Sequence, residues 1–182
     1  MQTDAITNFI APGAVPQSVV GAAGIEIQLG QTLDLLGNGV GQAPTDTIGN
    51  TTVWGADPGI GREKPVIQIN IGTGFTTGTS ATGTFRLEYA ADQGAAGAYQ
   101  PSTWYVSSET MAHAVGVLVA NAKIRMDLTP APPEVPNPRF VRLTVYPASG
   151  ADFTAGTVTF AGLVTTPDDQ ANKNQAANYV VA

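Results

Sequence analysis

The chain holds one histidine, His113, and it follows closely on Ser107, Ser108 and Glu109. A nucleophilic serine needs a histidine base that an acid holds in place. These four residues are near in sequence, but a strand with alternating side chains would point neighbours to opposite faces. We therefore read His113 as structural or exposed. A zinc site with a single His and no Cys would have to be built from several carboxylates. Gly37-Asn-Gly39-Val-Gly41 misses the dinucleotide spacing, because Gln42 stands where the third glycine should be. Asp168-Asp169 lacks the further oxygen ligands that calcium takes. Asp57, Glu63, Asp92 and Glu134 lie in loops and would have to face each other across a groove to cleave a glycoside. Trp54, Tyr99, Trp104 and Tyr105 are read as plugs at the ends of a β core, not as a sugar site. The sequon Asn50-Thr51-Thr52 has meaning only on a secretory route. No catalytic, cofactor-binding or metal-binding residue is assigned, and the chain reads as a non-enzyme that needs no cofactor.

Composition points the same way. There are 182 residues, of which 8 are basic and 14 acidic, for a net charge of −6. A nucleic-acid binder carries a basic face, so no nucleic-acid partner is expected. The absence of cysteine removes disulfides and thiolate chemistry, and fits assembly in a reducing compartment. The start, MQTDAITNFIAPG, lacks the basic and apolar regions of a secretory signal. The longest apolar run, Ala114 to Ala120, falls far short of the ~20 residues that span a bilayer. A soluble chain with no membrane partner is expected.

The elements behind these residues are strands. Ile25, Ile27 and Leu29 alternate with polar neighbours, as do Ile67, Ile69 and Ile71, then Phe85, Leu87 and Tyr89. The same holds for Ile124, Met126 and Leu128, and for Val141, Leu143 and Val145. Each reads as a strand with one buried and one wet face. Trp104–Val106 is shorter. Val115–Val119 is apolar on both faces, as a central strand would be, and Val158–Val164 is mostly apolar. Residues 107–114 could hold one helical turn. About eight strands separated by Gly, Pro, Thr and Asn predict an all-β sandwich or barrel. Leu36–Gly61 and Gly72–Gly83 are loops, the first with Val53-Trp54 as a possible edge strand. Residues 130–138 contain five prolines and read as a stiff connector. Phe75-Thr-Thr-Gly-Thr and Phe153-Thr-Ala-Gly-Thr are alike and read as recurring hairpin chemistry. The expected organisation is an N-terminal arm over 1–23, a β-sandwich domain over 24–165 and a C-terminal arm over 166–182.

Three stretches carry a family look. Arg139-Phe-Val-Arg-Leu-Thr-Val-Tyr146, a short loop and Phe153–Val164, followed by Thr166-Pro-Asp-Asp-Gln170, resemble the closing hairpin of the Bordetella-phage-type cement (decoration) proteins of tailed bacteriophages. Pro65–Ile71 with Thr84–Tyr89 and Asp92 is similar to that family's middle hairpin, and Ile25–Gly30 to its early strand. Together they cover about half the chain. The 36–61 loop and the proline connector depart from the family pattern.

The resemblance implies a jelly-roll-like antiparallel β-sandwich with extended terminal arms. It would sit on the outer surface of an icosahedral virion and be assembled in the host bacterial cytoplasm. Its partners would be the phage major capsid protein and copies of itself, as a dimer or trimer. Such a clamp bridges neighbouring capsid subunits of the expanded shell. Phe9 and Ile10 on the first arm, and Tyr179, Val180 and Val181 at the end of a polar tail, are the expected docking residues, with loops 36–61 and 130–138 as further contacts. A carbohydrate-binding or adhesin-type sandwich and a phage tail or neck component are the competing readings.

Overall fold

A strand with alternating apolar residues must cover one face, and two such sheets cover each other. A computed structural model of the chain describes residues 8–35, 46–48, 51–53, 66–77, 82–93, 100–148 and 151–164. It is an all-β sandwich of two antiparallel sheets. In chain order the strands are β1 (Asn8–Ile10), β2 (Gln17–Ser18), β3 (Ile27–Gln28), β4 (Leu33–Asp34), β5 (Asp46–Ile48), β6 (Thr51–Val53) and β7 (Val66–Ile71). There follow β8 (Thr82–Ala91), β9 (Tyr105–Glu109), β10 (His113–Ala114), β11 (Lys123–Asp127), β12 (Pro138–Pro147) and β13 (Thr157–Val164). The first sheet runs β1-β13-β7-β11, with β2 also on β13. The second runs β10-β8-β12-β3, with β9 also on β8 and β4 also on β12. The β5–β6 pair forms a ribbon of its own.

The expected apolar faces meet in one core. Ile67, Ile69, Ile71, Ile124, Met126, Val158 and Ala161 come from the first sheet, and Phe85, Leu87, Tyr89, Val141, Leu143 and Val145 from the second. Each fully buried large side chain contributes about 1.5–3 kcal/mol. The longest ladder joins β8 to β12, from Ala91 opposite Pro138 to Gly83 opposite Pro147.

The two resembling strand pairs are not hairpins. Pairs β7–β8 and β12–β13 each arch from the first sheet to the second or back, so consecutive strands lie face to face. Hydrogen bonding instead joins β7 to β13 and β8 to β12. The two similar segments sit on these arches and pair with each other. Thr76 N donates to Ala155 O at 2.9 Å, Thr154 N donates to Thr76 O at 2.7 Å, and the two threonine hydroxyls are 3.0 Å apart. The Phe75 and Phe153 rings meet edge to face at 5.1 Å.

Four other expectations are corrected. Val115–Val119 is not a central strand: Val115–Val117 is a 3-10 turn with Leu118 buried below it. Both edges of β7 are already taken by β13 and β11, so no central place is left. Residues 107–114 hold no helical turn: 107–109 belong to β9 and 113–114 to β10, and both strands pair with β8. Ile25 is exposed, because the strand that includes Ile27 is bounded by Gly24 and Gly30, both at φ +71°. Residues 8–23 are not an arm outside the core. Strands β1 and β2 line β13, and Phe9, Ile10 and Val19 are buried. Gln31 ties this segment to the opposite sheet, donating from its backbone N to Phe9 O and from Nε2 to Asn8 O, both at 2.9 Å.

The proline connector behaves as its composition dictates. It carries the chain from β11 in one sheet to β12 in the other, and anchors Val135 in the core. Tyr89 OH donates to Thr129 O at 2.9 Å, and Ser107 Oγ to Pro130 O at 2.6 Å. These bonds satisfy carbonyls that proline-rich backbone cannot pair in a ladder.

Candidate interaction surface

Most of the described residues with chemical potential make structural contacts, while the Ser108 hydroxyl is buried without a hydrogen-bond partner. His113 lies on β10 with its ring 6.4 Å from that of Phe85. Ser107 is bound to the connector, and Glu109 pairs with Arg86 at 3.1 Å. Asp92 pairs with Arg139 at 2.5 Å, and Glu134 is exposed on the connector. Trp104 lies against the Arg142 guanidinium, 4.4 Å from its ring centre, and Tyr105 is exposed. Among the described residues no three His, Cys, Asp or Glu side chains gather as metal ligands, and no helix is long and apolar enough to cross a membrane. Trp54, Asp57, Glu63, Tyr99, Asp168 and Asp169 lie outside the described residues, as do Gly37, Gly39 and Gly41.

Sequence reasoning missed a network on the outer face of the second sheet. Its strands carry Arg86, Glu88 and Arg142 at the positions read as wet. They are in fact paired and largely covered. Arg142 reaches Glu88 at 2.6 Å and also bonds Glu26, while Arg86 lies 4.3 Å from the Tyr146 ring centre. Arg139 forks onto Asp34 at 3.0 and 3.1 Å, and both side chains are buried. A bulge between Pro138 and Phe140 breaks the alternation there. Hydrogen bonding to Asp34 holds the Arg139 proton more firmly than usual, against the cost of burial. Burial raises the Glu88 carboxyl above its ordinary value of 4.5, with Arg142 pulling the other way. Burial also pushes the Tyr89 phenol up to about 12. The signal that could have found this network was opposite charges in register: Arg142 stands directly across from Glu88. That register depends on which strands pair.

The two ends of the sandwich differ in kind. One end is made by the connections whose described residues are 19–25, 72–77, 110–122, 148 and 151–156. Of the chain's 8 basic and 14 acidic residues, only Asp152 falls within them. Large apolar side chains project there: Met111 is 79% exposed, Ile25 57%, Val117 56%, Val20 55% and Val119 51%. Below them Val19, Phe75, Phe85, Leu118 and Phe153 close the core. The layers are in close touch. A side-chain carbon added at Gly74 would lie 3.4 Å from Val119 Cα, and one at Gly156 would lie 2.6 Å from Phe75 and 2.7 Å from Val19. Phe75 N donates to Leu118 O at 2.9 Å, and Val19 N to Gly156 O at 3.1 Å. Val20 and Val119 therefore stand next to hydrogen-bonded backbone that closes the core.

At the other end the described connections, 92–93, 100–104 and 128–137, carry Asp92 and Glu134. Strand β13 ends at Val164 on that side, paired with Val66 at the start of β7. Residues 165–182 follow from there.

Of the expected docking residues, Phe9 and Ile10 are core side chains between the sheets. They are buried because β1 fills the open edge beside β13, so they are not available to a partner. Tyr179, Val180 and Val181 lie outside the described residues, and so does most of the 36–61 loop. The apolar end, with Asp152 as its single described charge, was not foreseen, because its residues are scattered over four loops that the arches bring to one end. No family model and no curated protein matches the chain.

Proposed function

We propose that this chain is a virion structural protein that decorates the outer surface of a tailed-phage capsid and bridges neighbouring capsid subunits. The observation that carries the reading is a β-sandwich with two unlike ends: one bears exposed apolar side chains and, among its described residues, the single charge of Asp152, and the other bears Asp92, Glu134, the proline connector and the end of β13. The strand motifs that resemble the cement proteins occupy β3, β7, β8, β12 and β13, which build the body of both sheets. A jelly-roll-like connectivity belongs to the same reading, with chain arches crossing between the sheets. Decoration asks for a body of fixed geometry and for several modest contacts acting together, since linked contacts raise avidity by ~10²–10⁴ over a single one. In this reading the shell is met by the polar end, through the proline connector and the tail with Tyr179, Val180 and Val181.

The test is co-sedimentation of the purified protein with expanded, undecorated shells of the cognate phage and with unexpanded ones. Saturable binding to expanded shells at a whole-number ratio to capsid subunits is expected. Removal of residues 172–182 should weaken that binding while leaving the melting temperature unchanged. Absence of binding to either shell would overturn the proposal, and a glycan screen would then address the carbohydrate-binding alternative.

A further inference from the structure

The first sheet has buried side chains on the face turned away from the core. Strand β7 points Ile67, Ile69 and Ile71 inward, so Val66, Gln68 and Asn70 point outward. The register gives each its neighbours across the sheet. Gln68 stands between Gly162 of β13 and Arg125 of β11, with Asn8 of β1 beyond Gly162. Asn70 stands between Phe160 and Lys123, and Val66 between Val164 and Asp127. These rows are adjacent and make one continuous face. On it Asn8, Gln68, Phe160 and Val164 are each buried, and neither Phe160 nor Val164 belongs to the core cluster. Side chains buried on an outward face of a single chain are covered by that chain. The chemistry of the face says by which part. Both amide atoms of Asn8 and the Gln68 Oε1 have no hydrogen-bond partner, so the cover has to bring donors and acceptors. Lys123 and Arg125 on β11 are exposed and pair with no described carboxylate, so its far side has to be acidic.

Thr165-Thr166-Pro167-Asp168-Asp169 has that order: two hydroxyls, a residue that keeps the chain extended, then two carboxylates. It continues from Val164, which is itself part of the face. Arg125 lies two strands across and two residues back from Val164, about 12 Å by strand spacing and rise. Asp168 is four residues on, and four extended residues span ~13 Å. Asp127, in the same row as Val164, repels the carboxylates toward Arg125 and Lys123. Residues 1–7 enter at Asn8, three strands from Arg125, and carry one carboxylate, Asp4. We infer that residues 165–169 fold back over the first sheet as a strap, with Thr165 and Thr166 against the Gln68 and Asn8 amides and Asp168 and Asp169 on Arg125 and Lys123. Residues 172–182 are left to make the shell contact proposed above. The strap belongs to the chain by itself and does not depend on that contact.

The chain has no cysteine, so a single introduced thiol reports on this face alone. The experiment places Gln68→Cys in the full chain and times its reaction with N-ethylmaleimide, an uncharged reagent. Labelling should be slow, and equally slow when residues 172–182 are removed. Removal of residues 165–182 should speed it by about 10-fold or more, as local opening of a cover does. Asp168→Lys with Asp169→Lys should speed it too, and so should Lys123→Glu with Arg125→Glu. All four changes together should slow it again, because the charges are then exchanged and still opposite. Circular dichroism on each variant confirms the fold, and the charge exchange decides the matter if the truncated chain does not fold. A folded chain without residues 165–182 whose thiol stays as slow as in the full chain overturns the inference, and the cover is then residues 1–7 or the 36–65 loop. Charge reversals that leave the rate unchanged, or that the exchange does not reverse, overturn it as well. A protected thiol in a chain that fails to coat expanded shells removes only the decoration proposal. An unprotected thiol in a chain that coats them removes only this one.

Discussion

Arg139 shows what a single side chain has to do to sit inside this sandwich. Its guanidinium is held by Asp34 and Asp92, and taking away one member strands a charge in a place with little water. Arg139→Ala should therefore cost about 3–5 kcal/mol in urea unfolding. Adding Asp34→Asn to that variant should recover part of the loss, because the orphaned carboxylate is then neutral. Glu88 behaves in the opposite sense to a stabilising ion pair. Its folded pKa is raised above its unfolded value of about 4.5, chiefly by burial. The folded state thus binds the proton more tightly, and stability falls as pH rises from 4.5 through the raised pKa, then levels off. Glu88→Gln removes that loss. Its melting temperature should exceed the wild type's by more at pH 7 than at pH 4. A difference that stays constant with pH would mean that burial does not govern this carboxyl.

At the scale of strands, the edge segment β1 carries more weight than its three residues suggest. Phe9→Ala should cost about 3–5 kcal/mol, the range for a buried aromatic, as read by the shift in denaturation midpoint. A residue on a free arm would cost almost nothing. Beside it, Asn8 lies across Gly162, where an added side-chain carbon would stand 2.1 Å from Asn8 Oδ1. Asn8 is buried with both amide atoms unpaired, and Gln68, opposite Gly162 on β7, has an unpaired Oε1. Gly162→Ala should accordingly destabilise the domain by ~1–3 kcal/mol, the usual cost of overpacking. The contrast shows which elements the sequence makes legible. Alternation in 67–71, 85–89, 124–128 and 141–145 located the strands and their inner faces, because burial on one side of a pleat enforces period two. Phe9-Ile10 and Val115–Val119 misled for the same reason: two to five apolar residues have no decisive period. Their fate was set by which edges of β13 and β7 were still open. Pairing between distant strands also decided the candidate surface, since its valines and its methionine come from loops far apart in the chain. The tail with Tyr179, Val180 and Val181 was legible only as composition.

For the whole molecule, connectivity sets both the rate of folding and the division into ends. The β8–β12 and β7–β13 ladders join residues tens of positions apart, and β10 also pairs with the start of β8, about 30 positions back, Ala114 opposite Thr82. Folding governed by such pairings is slow, and refolding by denaturant dilution should take milliseconds to seconds, not microseconds. A microsecond main phase in rapid mixing or temperature jump would show that local structure leads instead. The place where β13 ends has a mechanical consequence. This strand runs from the arch at the apolar end to Val164 at the polar end, bonded on one side to β7 and on the other to β1 and β2. A pull on the tail, resisted at the far end of the body, is directed along the strand and not across it. Its hydrogen bonds are then loaded in shear, together, and cannot be opened one after another like a zipper. A sandwich anchored in this way yields at high force, the behaviour that the proposed attachment to a pressurised shell asks of it.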